Sequence, residues 1–155
     1  FETCRELGVQ VASQPSFLYY LGDSYHENVG DKRSKWLKPH RAWIDHDIMV
    51  AAGTDSPVTP YMPFPSLWAS IARRTEVKGT QMGTEQSVTR EEAIRMYTIN
   101  GAYLTFEEDA KGSLEPGKLA DMVVLDRDIL TCPVDDIRDT RVLRTFLGGK
   151  TVYEA

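Results

Sequence analysis

The chain has 155 residues, of which 41% are hydrophobic and 26% are charged, a composition that is typical of a globular domain. Its net charge of −5, with no segment that collects Lys and Arg, argues against a nucleic-acid partner. No apolar stretch approaches the roughly 20 residues that span a bilayer, and no membrane association is expected. The start of the chain has no signal-peptide pattern either, and we expect a cytoplasmic protein. Cys4 and Cys132 lack the spacing of a zinc knuckle or a disulfide framework, which favours reduced thiols.

The first fifty residues predict two parallel strands joined by a crossover. "FETCREL" has the pattern of a helix tail without an N-cap, so we expect the chain to be cut from a longer protein. "GVQVAS" (8 to 13) predicts one strand, and the continuous apolar run "IMVAA" predicts another that is covered on both faces. Residues 16 to 38 predict an extended loop with a short helix, and a second short helix follows Pro39.

Two helices are predicted after the second strand. A rigid loop with four prolines between Pro57 and Pro65 leads into "SLWASIARRT", for which Ser66 is the expected N-cap. "VTREEAIRMYTINGAYLTF" carries the spacing of a capping box in Thr89 and Glu92. Whether Gly101 interrupts this helix or lies within it is open.

The last forty residues change to an extended pattern. A strand is predicted from Met122 to Leu125, and two β-rich arms flank Gly148 and Gly149, which is a strong hairpin signal. We therefore expect a small antiparallel sheet. The change of pattern near residue 112 predicts two parts, residues 1–111 and residues 112–155.

Asp55 follows the second predicted strand after one Gly and one Thr, in the segment "AAGTDSPV". A carboxylate at the mouth of a buried strand is costly unless it is hydrogen-bonded, paired with a cation or bound to a metal. The sequence leaves two interpretations open. Asp55 either closes the loop before Ser56 and Pro57 as an Asx turn, or it is a functional group at the strand end.

Five segments in order carry a resemblance to a known family: "GVQVASQPSF", "AAGTDSPVTP", "RRT", "TREEAIRMYTINGAYLTFEEDAKGSLEPGKLADMVVLDRD" and "TRVLRTFLGGKTVYE". Together they resemble the C-terminal part of metal-dependent amidohydrolases, in the subfamily that includes N-substituted formamide deformylases. The resemblance implies an α/β fold, a (β/α)8 TIM-type barrel with a small β-sandwich built from both chain ends. This chain would supply strands seven and eight of an incomplete barrel and the closing strands of the sandwich.

The resemblance also implies a site. Asp55 would lie beside a divalent metal, with zinc as the expected ion, and would act as general base in the hydrolysis of an amide or N-formyl C–N bond. The other metal ligands would lie outside this chain, so we expect the chain to be inactive alone. Gln14 and Phe17 would face a small-molecule amide substrate, and Arg41 would reach its carboxylate or carbonyl.

Other interpretations remain beside these. Gln14 is equally compatible with binding loop backbone, and Arg41 with solvating a helix. His26, His40 and His46 are expected to be lone surface histidines rather than ligands. The alternative function is a non-catalytic α/β module or degenerate hydrolase half that self-associates or binds a partner, such as the missing part of the barrel, through open strand edges. A nucleotide-binding domain fits poorly, because no Gly-rich phosphate loop follows a predicted strand.

Overall fold

Six α-helices and five strands make up the computed structural model, which describes all residues from 1 to 155. In chain order they are α1 (Glu2–Glu6), β1 (Val11–Ser13), α2 (Ser16–Ser34), α3 (His40–Asp45), β2 (Val50–Ala52), α4 (Pro63–Ala72), α5 (Arg90–Tyr97), α6 (Ile99–Leu104), β3 (Met122–Leu125), β4 (Val142–Leu147) and β5 (Lys150–Glu154). Single 3-10 turns lie at Thr84–Gln86 and Val134–Asp139. None of the helices combines the length and the apolar character that a bilayer crossing requires.

The two predicted parallel strands are confirmed. β1 and β2 pair in parallel, with Val11 opposite Val50 and Ser13 opposite Ala52. They form a two-stranded sheet of their own, so each strand has one edge without a partner. The helix predicted after Pro39 is also confirmed as α3. The two carboxyl ends therefore lie side by side, followed by Gln14 and Gly53.

The extended loop predicted for residues 16 to 38 is wrong, because most of it forms the 19-residue helix α2, which is kinked at Gly30. Its buried positions include Ser16, Leu18 and Gly22, a face too small and polar to produce an apolar period. Close packing explains this composition. A Cβ on Gly22 would lie 2.6 Å from Cγ2 of Thr75.

Ser66 is not the N-cap of its helix, since α4 begins three residues earlier at Pro63 with Met62 as N-cap. Proline is favoured at the first helical position because its missing N–H has no partner there anyway. The capping box is confirmed, with Glu92 N donating to Thr89 Oγ1 at 3.1 Å and Thr89 N donating to Glu92 Oε2 at 2.8 Å. The break between α5 and α6 falls at Thr98, and Gly101 lies inside α6.

The core is centred on α4. Leu67, Trp68 and Ala69 are buried there among side chains from α2, β2 and α5. Residue Ile137, in the 3-10 turn near the C-terminus, is fully buried in the same cluster. The segment that follows β3 therefore packs back onto the helical part of the chain.

The small antiparallel sheet is confirmed in the order β3, β4, β5, and the Gly148-Gly149 hairpin pairs Leu147 with Lys150. Much of its apolar surface faces solvent. Val123, Leu147 and Val152 are exposed by 52%, 61% and 59%. The α/β class is thus confirmed, while the barrel and the sandwich stay predictions.

Candidate active site

Asp55 lies three residues past the last residue of β2, at the carboxyl end of the parallel pair. Its φ of 57° places it in the left-handed region, which Asp tolerates better than most residues. The side chain is exposed, and its carboxylate forms neither a hydrogen bond nor an ion pair within the chain. A free carboxylate at the end of a buried strand is available to a ligand.

The structure does not contain the Asx turn that the sequence left open. The turn after Asp55 is closed by main-chain atoms, because Val58 N donates to the carbonyl oxygen of Asp55 at 2.8 Å. The two side-chain oxygens play no part in it. The loop therefore does not need this carboxylate for its own conformation.

Buried hydroxyl groups fix the backbone just before Asp55. The carbonyl oxygen of Thr54 accepts a hydrogen bond from Ser16 Oγ at 3.2 Å and another from Thr59 Oγ1. Ser16 and Thr59 are both almost fully buried. In addition, Gly53 N donates to Ser13 O at 2.9 Å. These bonds fix the backbone from which the Asp55 side chain extends.

Gln14 and Phe17 lie where β1 ends and α2 begins. Gln14 Nε2 donates to the carbonyl oxygen of Ala12 at 3.4 Å, and Gln14 Oε1 accepts from Lys38 Nζ at 3.4 Å. Lys38 Nζ also lies 5.2 Å from the centroid of the Phe17 ring. The structure thus brings the two residues together around a lysine.

Lys38 was not predicted as a site residue, because it belongs to no sequence motif. The residue is half-buried, its φ is 51°, and it forms no ion pair with a carboxylate. Burial lowers the pKa of the Lys38 ammonium, and the negative charge of Asp55 opposes that shift. Lys38 and Asp55 therefore share one electrostatic environment.

A buried arginine holds the backbone of this lysine. The Arg73 side chain is fully buried, and Nη1 donates to Lys38 O at 3.0 Å while Nη2 donates to Leu37 O at 2.6 Å. Its Nε donates to the carbonyl oxygens of Met82 and Gly83 at 3.0 and 3.2 Å. Burial lowers the Arg73 pKa to about 10, with Glu85 opposing the shift. Arg73 ties the loop before α3 to the loop after α4.

The expectation of three surface histidines is wrong for His40. Its side chain is fully buried, and Nε2 lies 2.9 Å from Ser13 Oγ at the end of β1. Burial, with smaller contributions from Arg73 and Lys38, lowers the His40 pKa to about 3, so the ring is neutral. His46 is exposed, and its Nδ1 donates to the carbonyl oxygen of Ala42, whereas His26 is half-buried with Nε2 2.6 Å from Asp31 Oδ1.

Arg41 does not join the group around Asp55 in any hydrogen bond. Its Nη1 donates to both carboxylate oxygens of Glu92 at 2.8 Å, and its Nε donates to Asp45 at 2.8 Å. These bonds link α3 to the first turn of α5. A substrate contact would have to replace them.

The chain alone does not provide a complete metal site. No three His, Cys, Asp or Glu side chains are grouped so that they could hold an ion, whereas a catalytic zinc takes three protein ligands or more. The free carboxylate of Asp55 fits the role of one hard oxygen ligand. A metal at this position would need further ligands from outside these residues.

Comparison with known proteins gives consistent results. A model described as "Amidohydrolase family" matches residues 1–153. The N-substituted formamide deformylase of Arthrobacter pascens is 33% identical over 150 residues, which are 96% of this chain. Crystal structures of metal-dependent hydrolases from Pyrococcus furiosus and Pyrococcus horikoshii superpose with TM-scores of 0.69 and 0.74, at 33% and 28% identity.

The matches cover only part of the relatives. The chain spans 28% of the length of the deformylase, and 26% and 27% of the two hydrolase structures, which cover 84% and 86% of this chain.

Proposed function

The chain belongs to the amidohydrolase family, and on this premise we propose that the intact protein is a metal-dependent hydrolase that cleaves a non-peptide C–N bond, an amide or N-formyl group, in a small molecule. The free Asp55 carboxylate at the carboxyl end of β2 carries the proposal. In (β/α)8 enzymes the active site lies at the carboxyl ends of the strands. The related N-substituted formamide deformylase supports the class of bond.

Asp55 acts in this proposal as the general base. It accepts a proton from the attacking water as the C–O bond forms, and it passes that proton to the nitrogen as the C–N bond breaks. The products are a carboxylic acid and an amine. A divalent metal, with zinc as the expected ion, would lower the pKa of the attacking water toward about 7, and Asp55 is the residue of this chain that would hold it.

Gln14 and Phe17 form the substrate side of the proposed site. Gln14 offers an amide that can exchange its contacts with Ala12 and Lys38 for contacts with a substrate. Phe17, half-buried in the first turn of α2, offers an apolar surface. Arg41 enters the site only if a substrate displaces its bonds to Asp45 and Glu92.

We also propose that this chain forms part of a (β/α)8 barrel and of a β-sandwich. β1 and β2 would be the seventh and eighth strands of the barrel within residues 1–111, and residues 112–155 would close the β-sandwich. Two observations support this: each of the two strands has a free edge, and the relatives are more than three times as long as the matched segment. The 155 residues alone would lack the further ligands that a metal needs besides Asp55, and they would be inactive.

Exposed apolar residues favour a second candidate, a non-catalytic module that self-associates. Val123, Leu147 and Val152 on the antiparallel sheet are each more than half exposed. Such patches mark surfaces that other chains or domains cover. Light scattering of the 155-residue chain would show an oligomer under this candidate, and the intact protein would then hydrolyse no amide.

An amide-substrate screen of the intact protein, with metal analysis, tests the proposed function. We expect hydrolysis of amides or N-formyl amines, its loss after treatment with a chelator, and its return when a divalent metal is added. Hydrolysis that survives complete metal removal, or no turnover of any amide by the metal-loaded protein, would contradict the proposal.

A further inference from the structure

We propose that Lys38 binds an anionic group of the substrate, so that the compound hydrolysed by the intact protein carries a carboxylate in addition to its amide or N-formyl group. This inference rests on the proposed function and names its substrate class. It starts from the position of Lys38 Nζ, which lies against Gln14 and Phe17, the two residues proposed to face the substrate.

Lys38 has no carboxylate bonded to its ammonium group, since Asp55 acts on it through its charge without forming an ion pair. Its only polar contact is the amide oxygen of Gln14 at 3.4 Å, and its other neighbour is the face of the Phe17 ring. Lys78, Lys111 and Lys118, in contrast, each form an ion pair with a carboxylate. A carboxylate from a ligand would give Lys38 the charge-assisted bonds that the chain does not supply.

The position of Lys38 is also unusually well fixed. Its left-handed backbone is a conformation that lysine seldom adopts, and it persists only where the surroundings enforce it. Here the Lys38 carbonyl oxygen accepts bonds from Arg73 Nη1 at 3.0 Å and from His40 N at 2.8 Å, and both side chains are fully buried. These bonds fix the backbone from which the Lys38 side chain extends toward Gln14 and Phe17.

The neighbouring cations do not compete for this role. Arg41 is bound by Asp45 and Glu92, and Arg73 donates to four carbonyl oxygens inside the core. Among these three cations, Lys38 is the one that is bonded neither to a carboxylate nor to a full set of carbonyl oxygens. Asp55 would therefore act on the scissile group, while Lys38 would hold the charged end of the same molecule.

The test compares matched substrates on the metal-loaded intact protein. The probes are N-formylglycine, N-formyl-β-alanine and N-formyl-γ-aminobutyrate, each paired with its uncharged primary amide. We expect wild type to prefer at least one carboxylate over its neutral partner. In Lys38→Met, which keeps an unbranched side chain over Phe17, the ratio of the two kcat/KM values falls by about 10- to 100-fold. Lys38→Arg keeps most of the preference because it keeps the charge.

Lys35→Gln provides the matched control, since Lys35 lies on the same loop with an exposed side chain. We expect it to keep the wild-type ratio. A purely structural role of Lys38 would lower turnover of the charged and neutral probes equally. That equal loss, or a wild-type protein that treats both probes alike, would overturn the inference while leaving the proposed hydrolase intact.

Measuring the affinity for these carboxylates tests the anion site separately from the proposed hydrolytic activity. Calorimetry with the Asp55→Asn protein measures affinity for the same carboxylates without turnover, and Lys38→Met in that background should weaken it by about tenfold or more. If no amide is hydrolysed but this loss of affinity occurs, the proposed function fails and the anion site stands. If the affinity does not change, the anion site fails whatever the activity.

Discussion

Replacement of Arg73 by Met tests whether a buried guanidinium organises the site. The side chain is fully buried and donates through three nitrogens to four carbonyl oxygens. Hydrogen bonds to a charged group contribute about 1.5 to 3 kcal/mol each, so their gross loss is large. Burial opposes this, because the fall in the Arg73 pKa from 12.5 to about 10 corresponds to roughly 3 kcal/mol. We expect a net destabilisation of at least about 3 kcal/mol.

Urea unfolding of the intact protein, followed by far-UV circular dichroism, measures this change. Arg74→Met is the matched control, because the Arg74 side chain is 42% exposed and its only carboxylate, Asp135, lies 3.4 Å away. An exposed pair of this kind contributes less than about 1 kcal/mol. Hydrogen exchange should also rise in the segment from Leu37 to His40, which loses its anchor. An Arg73→Met protein as stable as Arg74→Met would refute the reasoning.

Two further substitutions, at His40 and Gly112, test the effects of burial and close packing. Because burial, aided by Arg73 and Lys38, lowers the His40 pKa from 6.5 to about 3, the unfolded state takes up the proton first as pH falls. Wild type should therefore lose up to about 1.4 kcal/mol per pH unit between pH 6.5 and 3 relative to His40→Gln, measured by urea unfolding at each pH. Gly112 and Gly117 both have positive φ, but only at Gly112 would a Cβ approach α6, at 2.8 and 2.9 Å. Gly112→Ala should cost about 1 to 3 kcal/mol more than Gly117→Ala in thermal denaturation.

Parallel pH profiles for wild type and His40→Gln would show that the imidazole protonates without penalty in the folded protein. Equal melting temperatures for the two glycine variants would show that α6 and the loop at Gly112 can separate without loss of stability.

Local chemistry explains which elements the sequence could predict. The capping box at Thr89, the hairpin at Gly148 and the end of β1 at Ser13 are each defined by neighbouring residues, and all three agree with the structure. Helix α2 was missed because its inner face is set by close approach to Thr75, which is remote in sequence. The true start of α4 was missed because Ser66 has a tertiary role, as acceptor of the Tyr97 hydroxyl hydrogen bond.

The site residues likewise fall into those that local sequence predicts and those that it does not. Asp55 could be located from sequence because the end of a buried strand is a local signal, and the structure has its carboxylate free there. The contact of Lys38 with Gln14 spans 24 residues of sequence, and that of Arg73 with Lys38 spans 35. Arg41 has a local pattern, yet Glu92, 51 residues away, binds its guanidinium. No local pattern encodes such long-range contacts.

A comparison of Asp55→Asn with Asp47→Asn tests the central claim most directly. Both residues are exposed and left-handed, with φ of 57° and 55°, but they lie at opposite ends of β2. In the intact, metal-loaded protein, we expect Asp55→Asn to lower kcat by at least about 100-fold, since it removes the proton acceptor and keeps the shape. Asp47→Asn should stay within about twofold of wild type. Similar kcat values for the two variants would contradict the assignment of Asp55 as the general base.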